Sequence, residues 1–344
     1  MKIVAVDPRR VGIAAQADVL LQVRPGTDGA LALAMIDVAI EEKLFDDGFV
    51  RQWSNGTFLI RLDNGAALTE ADLTAGGSAD RFVAWDDIAN APILYDSLTG
   101  SFERQSARLA MTSEQRIVTK DGSAIACEPA FARLAALAAQ FTPEKSSSIT
   151  WVAPDKVRQA VRVLAANRPV SMFMHNGVGQ HTNATQTSRA IATFYALFGD
   201  FDRQGGNVVF PKAPLQAMSG KEFLPKEMAQ QRIGRERKPL GPPAKPGNCA
   251  AYDIFTAVLE GQPYPVKAIL NFGSNTIMST GDSQRAREAF RALDFAVAAE
   301  LFMTPTAELC DYVLPATSFL EMANVSNDFK HRAQGKLHVQ YRPE

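Results

Sequence analysis

The sequence predicts an α/β fold, because short apolar runs alternate with segments of helical periodicity in both halves of the chain. In the N-terminal half, apolar runs at residues 3–6 and 18–23 are followed by a helical segment at 29–44. In the C-terminal half, residues 252–300 alternate twice between helix and apolar run. This order is typical of two Rossmann-like, doubly wound domains whose sheets are mostly parallel.

A chain of 344 residues is long enough to form two domains. We predict a first α/β domain at residues 1–168 and a second at 169–330, with 331–344 as the start of a further C-terminal part. Within the first domain, residues 54–121 alternate apolar with polar side chains and break at Asn-Gly and Asp-Gly pairs. Such pairs indicate hairpins, so this segment is predicted to be a β-hairpin excursion from the α/β core.

The composition is that of a globular protein, with 46% hydrophobic residues, 21% charged residues and a net charge of −1. A near-neutral chain lacks the basic face that a general nucleic-acid binder needs. No apolar run approaches the roughly 18 residues of a membrane span. Cys127, Cys249 and Cys310 form no CxxC pair, so neither a disulfide framework nor a cysteine metal site is predicted.

The first predicted strand, residues 3–6, ends at Asp7, Pro8 and Arg9. Ligands of doubly wound folds bind at the carboxyl ends of the strands, so these three residues are candidates for ligand binding. No leader or cap precedes the strand. We therefore expect that the N-terminal part of a longer protein is missing here, and that any export signal would lie in that part.

The second predicted strand leads into Gly26, Thr27 and Asp28, immediately before the helical segment at 29–44. Thr27 or Asp28 is predicted to cap this helix, and the residues leave two roles open for Asp28. As an N-cap, its carboxylate would accept hydrogen bonds from the first N–H groups of the helix. As a ligand-binding group, its two oxygens would accept the ring N–H and the amino group of a guanine base.

The centre of the chain combines a predicted buried strand at 170–174, a turn containing Gly177 and Gly179, and a helix whose apolar residues recur over 191–198. Backbone N–H groups at a helix start bind anions, and glycine lets a phosphate approach the main chain closely. The turn is not a dinucleotide fingerprint, because Thr182 stands at the third glycine position. An ordinary tight turn is the alternative reading.

Polar residues also follow the two predicted strands of the C-terminal half. Gly273, Ser274 and Asn275 follow residues 267–272, and Thr304 and Thr306 lie beyond residues 295–300. Such strand ends gather along one edge of a parallel sheet and form a polar crevice. Phosphate binding there would not require a dinucleotide fingerprint.

Four stretches in order resemble the molybdopterin oxidoreductase family, in particular its dimethyl sulfoxide reductase and formate dehydrogenase group. They are VDPRRVGIAAQADVLLQVRPGTDGAL at 6–31, GVGQHTN with LFGDFDRQGGN within 177–207, ILNFGSN at 269–275, and LDFAVAAELFMTPTAELCDYVLPATSFLE at 293–321. Together they span nearly the whole chain. The resemblance implies a molybdenum or tungsten atom held by two molybdopterin guanine dinucleotides, that is, bis(molybdopterin guanine dinucleotide).

The resemblance also implies roles for residues of this chain. It implies that one nucleotide lies near Asp7, Pro8, Arg9, Gly26 and Thr27, with Asp28 recognising its guanine. It implies that a pterin or pyrophosphate lies near Asn176, Gly177, Gly179 and Gln180. The second nucleotide would be held by Gly273, Ser274, Asn275, Glu300, Phe302, Thr304 and Thr306. The family usually has Asp where Glu300 stands, so the longer side chain changes the geometry of that guanine contact.

Members of this family normally carry an iron–sulfur cysteine motif and a Cys, selenocysteine or Ser ligand of the metal, all upstream of the residues that match position 1. A 4Fe-4S cluster is therefore expected only in that upstream part. Members of the family also end in a further C-terminal domain. The chain therefore resembles a central fragment, which we expect not to turn over alone. No catalytic residue is assigned. His175 and His181 are candidates for a hydrogen bond to a pterin or for proton transfer, with packing or helix capping as the alternatives.

The leading hypothesis is thus the cofactor-binding core of a molybdenum- or tungsten-dependent oxidoreductase. The expected partners are a small-molecule substrate and electron-transfer subunits, in the cytoplasm or, if an export signal precedes the chain, the periplasm. A second hypothesis is a structural subunit that kept the fold without the cofactor, like the large iron–sulfur subunit of respiratory complex I. A third is a nicotinamide-binding Rossmann enzyme, although the GxGxxG motif is absent.

Overall fold

A computed structural model describes residues 1–104, 107–209, 223–238, 248–327 and 339–343. The chain forms two compact units, Met1–Val209 and Phe210–Glu344. The helices of the described residues are α1 (Asp28–Glu41), α2 (Asp47–Trp53), α3 (Glu70–Leu73), α4 (Ala130–Ala138), α5 (Pro143–Thr150), α6 (Pro154–Ala166), α7 (Asn176–Gly179), α8 (Ala184–Ala196), α9 (Lys226–Gln230), α10 (Ala251–Glu260), α11 (Thr276–Ser279) and α12 (Ser283–Ala292).

The strands form small sheets. They are β1 (Val4–Val6), β2 (Val19–Leu21), β3 (Leu59–Arg61), β4 (Arg81–Asp86), β5 (Ala91–Asp96), β6 (Ser101–Phe102), β7 (Gln115–Val118), β8 (Ala124–Pro129), β9 (Ala268–Phe272), β10 (Phe295–Glu300), β11 (Tyr312–Pro315), β12 (Asn324–Asn327) and β13 (Val339–Arg342). Within the described residues the sheet orders are β1-β2, β3-β8-β7, β4-β5-β6, β11-β10-β9 and β12-β13. The predicted mixed α/β class is confirmed.

Helix α1 forms the centre of the first unit. Its apolar side chains at Leu31, Ile36 and Val38 are fully or almost fully buried, and they share one core with residues of β2, α4, α6 and α8. Strand β1 pairs with β2 in parallel, with Val4 opposite Val19. Parallel pairing brings the carboxyl ends of both strands to the same edge, where the loop into α1 begins.

The predicted hairpin region contains antiparallel strands. Strand β4 pairs with β5, and β7 pairs with β8 through a turn at Asp121 and Gly122. Gly122 has a φ of +82°, a conformation that glycine adopts without steric cost. Paired residues continue to Pro129 on β8, somewhat beyond the predicted limit at 121.

The predicted buried strand at 170–174 is wrong, because this segment forms no strand and pairs with no strand of the described chain. Side chains from the loop after α8 replace the partner strand. Asn207 Oδ1 accepts a hydrogen bond from Met172 N at 2.7 Å, and Asn207 Nδ2 donates to Met172 O at 2.8 Å. Asp200 Oδ2 accepts from Val170 N at 2.8 Å. Only the start of the segment is buried, since Phe173 is 80% exposed.

In the second unit, β9, β10 and β11 form a parallel sheet. Helices α10 and α12 cover one face, where Phe255 and Phe290 pack with Ala296. Side chains alternate between faces along a strand, and on the opposite face Leu270 and Phe272 are 63% and 69% exposed. The predicted doubly wound arrangement is therefore not observed in the described part of this unit.

The first unit extends to Val209, because Phe194 and Phe198 belong to the same core as α1. The predicted boundary between 168 and 169 refers to nucleotide-binding domains, and that assignment stays a prediction. The predicted beginning of a C-terminal part at 331–344 lies outside the described residues except for 339–343.

Candidate functional site

The turn after β1 is ordered by its own aspartate. Asp7 N donates to Leu21 O at 3.2 Å, which ties the end of β1 to the end of β2. Asp7 Oδ1 accepts a hydrogen bond from Arg9 N at 2.7 Å, so one carboxylate oxygen shapes the turn. Pro8 and the Arg9 side chain are exposed at this edge. The three predicted residues thus lie at the carboxyl edge of the β1-β2 pair.

The loop between β2 and α1 is tightly closed. Thr27 occupies the N-cap position of α1, but its hydroxyl donates to Arg24 O at 2.7 Å and accepts no helix N–H. Gly26 has a φ of +84°, which favours glycine. Arg24 N donates to Thr150 O at 2.8 Å and so joins the loop to the end of α5.

Asp28 is the first residue of α1 and is half-buried. In the described ranges no hydrogen bond or ion pair joins its carboxylate to another residue, and the side chain does not cap the helix. The N-cap reading of Asp28 is therefore wrong, because Thr27 holds the N-cap position. Both carboxylate oxygens of Asp28 are available as acceptors beside the N-terminal N–H groups of α1.

The glycine turn forms the short helix α7, and it lies near the loop before α1. A Cβ atom built on Gly26 would be 3.4 Å from Nδ1 of His181, the residue after Gln180. Likewise, a Cβ atom on Gly29 would be 3.0 Å from Oγ1 of Thr187 in α8. These contacts bring the guanine-binding loop predicted at 26–28 together with the segment that follows α7.

Gly177 and Gly179 have no strained backbone and no crowded neighbour. Neither has a positive φ, and a Cβ atom on either would meet nothing within 4 Å. Asn176, Gln180 and His175 are exposed around them. Neither the backbone conformation nor the packing of the described residues requires glycine at these two positions. The close approach of a ligand to the main chain would require it.

A buried tyrosine supports the extended segment that leads to α7. The Tyr195 hydroxyl shares its single proton between Asp200 O at 2.8 Å and Val170 O at 3.1 Å, while it accepts from Asn207 N at 2.9 Å. Burial raises the pKa of Tyr195, which keeps the hydroxyl protonated and able to donate. Asn207 and Asp200 are not predictable from the sequence, because no local pattern distinguishes either from a loop residue.

The second unit gathers its predicted residues at the carboxyl edge of β9 and β10. Thr306 Oγ1 donates to Asn275 Oδ1 at 3.0 Å and accepts from Ile277 N at 3.0 Å. Ser274 O accepts a hydrogen bond from Asn271 Nδ2 at 2.6 Å. Thr306 is fully buried, and its hydroxyl holds the loop after β9 through these two hydrogen bonds.

The loop after β10 carries the remaining predicted residues. Glu300 is half-buried and its Oε1 accepts from Leu301 N at 2.7 Å. Thr304 Oγ1 accepts from Ala307 N at 3.2 Å, and Phe302 is 75% exposed. Gly273 has a φ of +54° with open space around it. The structure thus brings together all the predicted residues of this unit along one sheet edge.

Two of the three cysteines lie where burial disfavours the thiolate. Burial raises the pKa of the Cys127 thiol to about 11, and burial also raises that of Cys310, so neither thiol is activated. No group of three or more His, Cys, Asp and Glu side chains in the described parts of the chain could hold a metal ion. In the described residues, no helix is long and apolar enough to cross a membrane.

Known proteins resemble this chain in sequence. Perchlorate reductase subunit alpha of Dechloromonas aromatica is 31% identical over 60% of this chain and 25% of its own length. Dopamine dehydroxylase of Eggerthella lenta is 27% identical over 93% of this chain. The chain spans 40% of the length of that relative.

A solved structure shares the fold. Acetylene hydratase from Pelobacter acetylenicus superposes with a TM-score of 0.67 over 94% of this chain and 38% of its own, at 24% identity. The family model for molybdopterin oxidoreductases matches residues 1–341, which confirms the predicted resemblance. The chain belongs to the molybdopterin oxidoreductase family.

Proposed function

We propose that this chain is the cofactor-binding core of a molybdenum- or tungsten-dependent oxidoreductase that uses bis(molybdopterin guanine dinucleotide). The observation that carries the proposal is Asp28, a half-buried carboxylate with no partner in the described chain, at the start of α1. Leaving a partly desolvated carboxylate unpaired costs free energy, which a bound donor would recover. When bound, the cofactor supplies a metal centre for oxygen-atom or hydride-type transfer.

In the first unit, Asp28 accepts the ring N–H and the amino group of one guanine. Gly26 and Thr27 shape the loop around that base, while Asp7, Pro8 and Arg9 border the same nucleotide at the neighbouring strand end. The exposed Arg9 guanidinium suits a pyrophosphate, because Arg forms bidentate hydrogen bonds with phosphate oxygens.

The turn of α7 faces the pterin or pyrophosphate part of a cofactor. Support comes from Gly177 and Gly179, where the space that a Cβ atom would fill is open. Asn176 and Gln180 are exposed beside it and offer both donors and acceptors. His175 and His181 are exposed as well, and either would donate a hydrogen bond or move a proton at the pterin.

In the second unit, Gly273, Ser274 and Asn275 bind the other nucleotide. Glu300 takes the place of its guanine acceptor, and Phe302 and Thr304 border the same sheet edge. Thr306 is a positioning residue in this proposal, since its buried hydroxyl holds Asn275 rather than a ligand.

The whole protein is proposed to be longer than this chain, because the chain spans only 40% of dopamine dehydroxylase. Residues beyond the chain would supply the metal ligand and any 4Fe-4S cluster, so we expect no turnover from residues 1–344 alone. Relatives named as alpha subunits support electron-transfer partners. The protein would act on a small molecule in the cytoplasm, or in the periplasm if it carries an export signal.

The test is the metal content of the full-length protein produced with ample molybdate or tungstate. We expect about one molybdenum or tungsten per chain, and a several-fold lower content in Asp28→Asn because the mutant offers guanine one acceptor oxygen instead of two. Asp87→Asn is the matched control, as Asp87 is exposed in the β4–β5 hairpin and is expected to leave the metal content unchanged.

Two results would contradict the proposal. Less than roughly 0.1 metal per chain in the wild type would favour a cofactor-free structural subunit, since a cofactor held by many contacts survives purification. Saturable binding of NAD(H) in calorimetry, without metal, would favour a nicotinamide enzyme.

A further inference from the structure

Trp151 has an unusual backbone conformation for its type. It is the C-cap residue of α5, with a φ of +63° and a ψ of +10°, and its N–H donates to Ser147 O at 2.9 Å. Helices commonly end with a residue in this left-handed conformation, and that residue is usually glycine because any Cβ atom is strained there. A tryptophan at this position needs a compensating reason.

Burial does not provide that reason, because Trp151 is 69% exposed. A large aromatic ring left in water gains little of the hydrophobic stabilisation that usually offsets strain. Strained residues and exposed aromatic rings are both concentrated at binding sites.

The position of Trp151 links it to the loop that contains Asp28. The guanidinium carbon of Arg24 lies 5.3 Å from the centre of the Trp151 ring, within the range of a cation–π interaction. Arg24 N also donates to O of Thr150, the residue before Trp151, at 2.8 Å. The backbone oxygen of Arg24 in turn accepts hydrogen bonds from the hydroxyl and the N–H of Thr27, the residue before Asp28.

The support beneath Trp151 is rigid. Thr150 is fully buried, its hydroxyl donates to Ser146 O at 2.9 Å, and it accepts from Val152 N at 3.3 Å. Hydrogen bonds therefore fix the backbone on both sides of Trp151, and Arg24 contacts the ring, while most of the ring surface remains open. Such a ring offers a flat surface to a base with little loss of conformational freedom.

We propose that Trp151, oriented by Arg24, is the stacking platform for the guanine base whose hydrogen-bonding edge Asp28 binds. This inference rests on the proposed function and adds a residue to it. The platform contributes affinity and not base selection, because every base has a π-face, whereas Asp28 selects guanine through its N–H and amino donors.

The experiment titrates GDP and IDP by calorimetry into the full-length protein purified without cofactor. In Trp151→Gly we expect about tenfold weaker binding of GDP and equally weaker binding of IDP, which lacks the amino group, so the ratio of the two affinities is unchanged. Trp151→Phe keeps an aromatic face and should bind within about threefold of the wild type. Trp53→Ala, another exposed tryptophan of the same unit, is the matched control and should bind like the wild type.

Thermal unfolding separates the platform from a structural role. Glycine relieves the left-handed strain at position 151, so Trp151→Gly should unfold at the same temperature as the wild type or a few degrees higher. Loss of affinity in a protein of unchanged or greater stability supports the platform.

Unchanged GDP affinity in Trp151→Gly, with Asp28→Asn still weakening GDP, would overturn the platform and leave the proposed function standing. Absence of saturable GDP binding by the wild-type protein would overturn both the platform and the nucleotide site of the first unit.

Discussion

Gly26 faces His181: a Cβ atom built on Gly26 would lie 3.4 Å from His181 Nδ1. This contact joins the loop before α1 to the segment after α7, two stretches more than 150 positions apart in the sequence. The proposed guanine and pterin contacts of the first unit therefore lie close to each other, with Gly26 between them.

Gly26→Ala is predicted to weaken guanine-nucleotide binding. Its φ of +84° costs an alanine roughly 1–2 kcal/mol, and the added methyl group narrows the space next to His181. Gly12→Ala is the matched control, because Gly12 also has a positive φ but no atom within 4 Å of its Cβ position. Urea unfolding should show similar losses of stability for both variants. Only Gly26→Ala should lose GDP affinity, by about fivefold or more; equal affinities in the two variants would contradict the assignment.

Asn207→Ala is predicted to release the segment that leads to α7. The variant loses both hydrogen bonds to Met172, so the backbone N–H and C=O of Met172 have no partner. This loss should lower the free energy of unfolding by roughly 1–3 kcal/mol. Urea unfolding measures that loss, and hydrogen exchange should show faster exchange of the Met172 amide. The control is Asn167→Ala, which removes one exposed bond to Val163 O and should cost less than about 1 kcal/mol. Equal costs for the two variants would argue against a support role for Asn207.

Thr306→Val is predicted to destabilise the second unit by roughly 1–3 kcal/mol. Valine has nearly the same shape but leaves Ile277 N and Asn275 Oδ1 without their buried partner. Thr306→Ser keeps the hydroxyl and should recover most of the loss. Thr304→Val removes a single, longer bond from Ala307 N and serves as the comparison. A Thr306→Val protein as stable as the wild type in urea would show that the hydroxyl does not hold this loop.

Asp37→Asn is predicted to raise stability at neutral pH. Asp37 lies in α1 with 9% exposure, and burial followed by the nearby Glu41 carboxylate raises its pKa. The pKa of this carboxyl is higher in the folded state than in the unfolded state, where it is near 3.8. Its contribution to stability is therefore fully present below pH 3.8 and is lost as the pH rises through the folded pKa. The variant should therefore unfold at higher urea concentration at pH 7 and show no such gain below pH 3.8. A gain of equal size at both pH values would point to a cause other than ionisation.

The features that sequence reasoning predicted are those that local patterns determine. The apolar spacing of α1 and the polar residues after β9 and β10 follow from helix and strand periodicity, and the structure contains both. The hairpins follow from turn chemistry at pairs such as Asp121-Gly122. The position of Gly273–Asn275 at the carboxyl end of a parallel strand, where doubly wound folds bind their ligands, follows from the same periodicity.

The failed predictions depended on partners distant in the sequence. Residues 170–174 have the composition of a buried strand, but their backbone bonds go to Asp200 and Asn207, some 30 positions later. Composition likewise does not predict that the Thr306 hydroxyl binds the loop after β9. Nor does it predict that the backbone of Trp151 is left-handed. Each of these features is fixed by tertiary contacts, which local propensity does not encode.

The central claim, that two guanine dinucleotides are bound by the polar strand ends of the two units, has one direct measurement. Acid treatment of the full-length, metal-loaded protein releases GMP from a guanine dinucleotide cofactor, and chromatography counts it against the metal. If both nucleotides are bound, about two GMP are released for each molybdenum or tungsten atom. Metal-loaded protein that releases no GMP would contradict the claim.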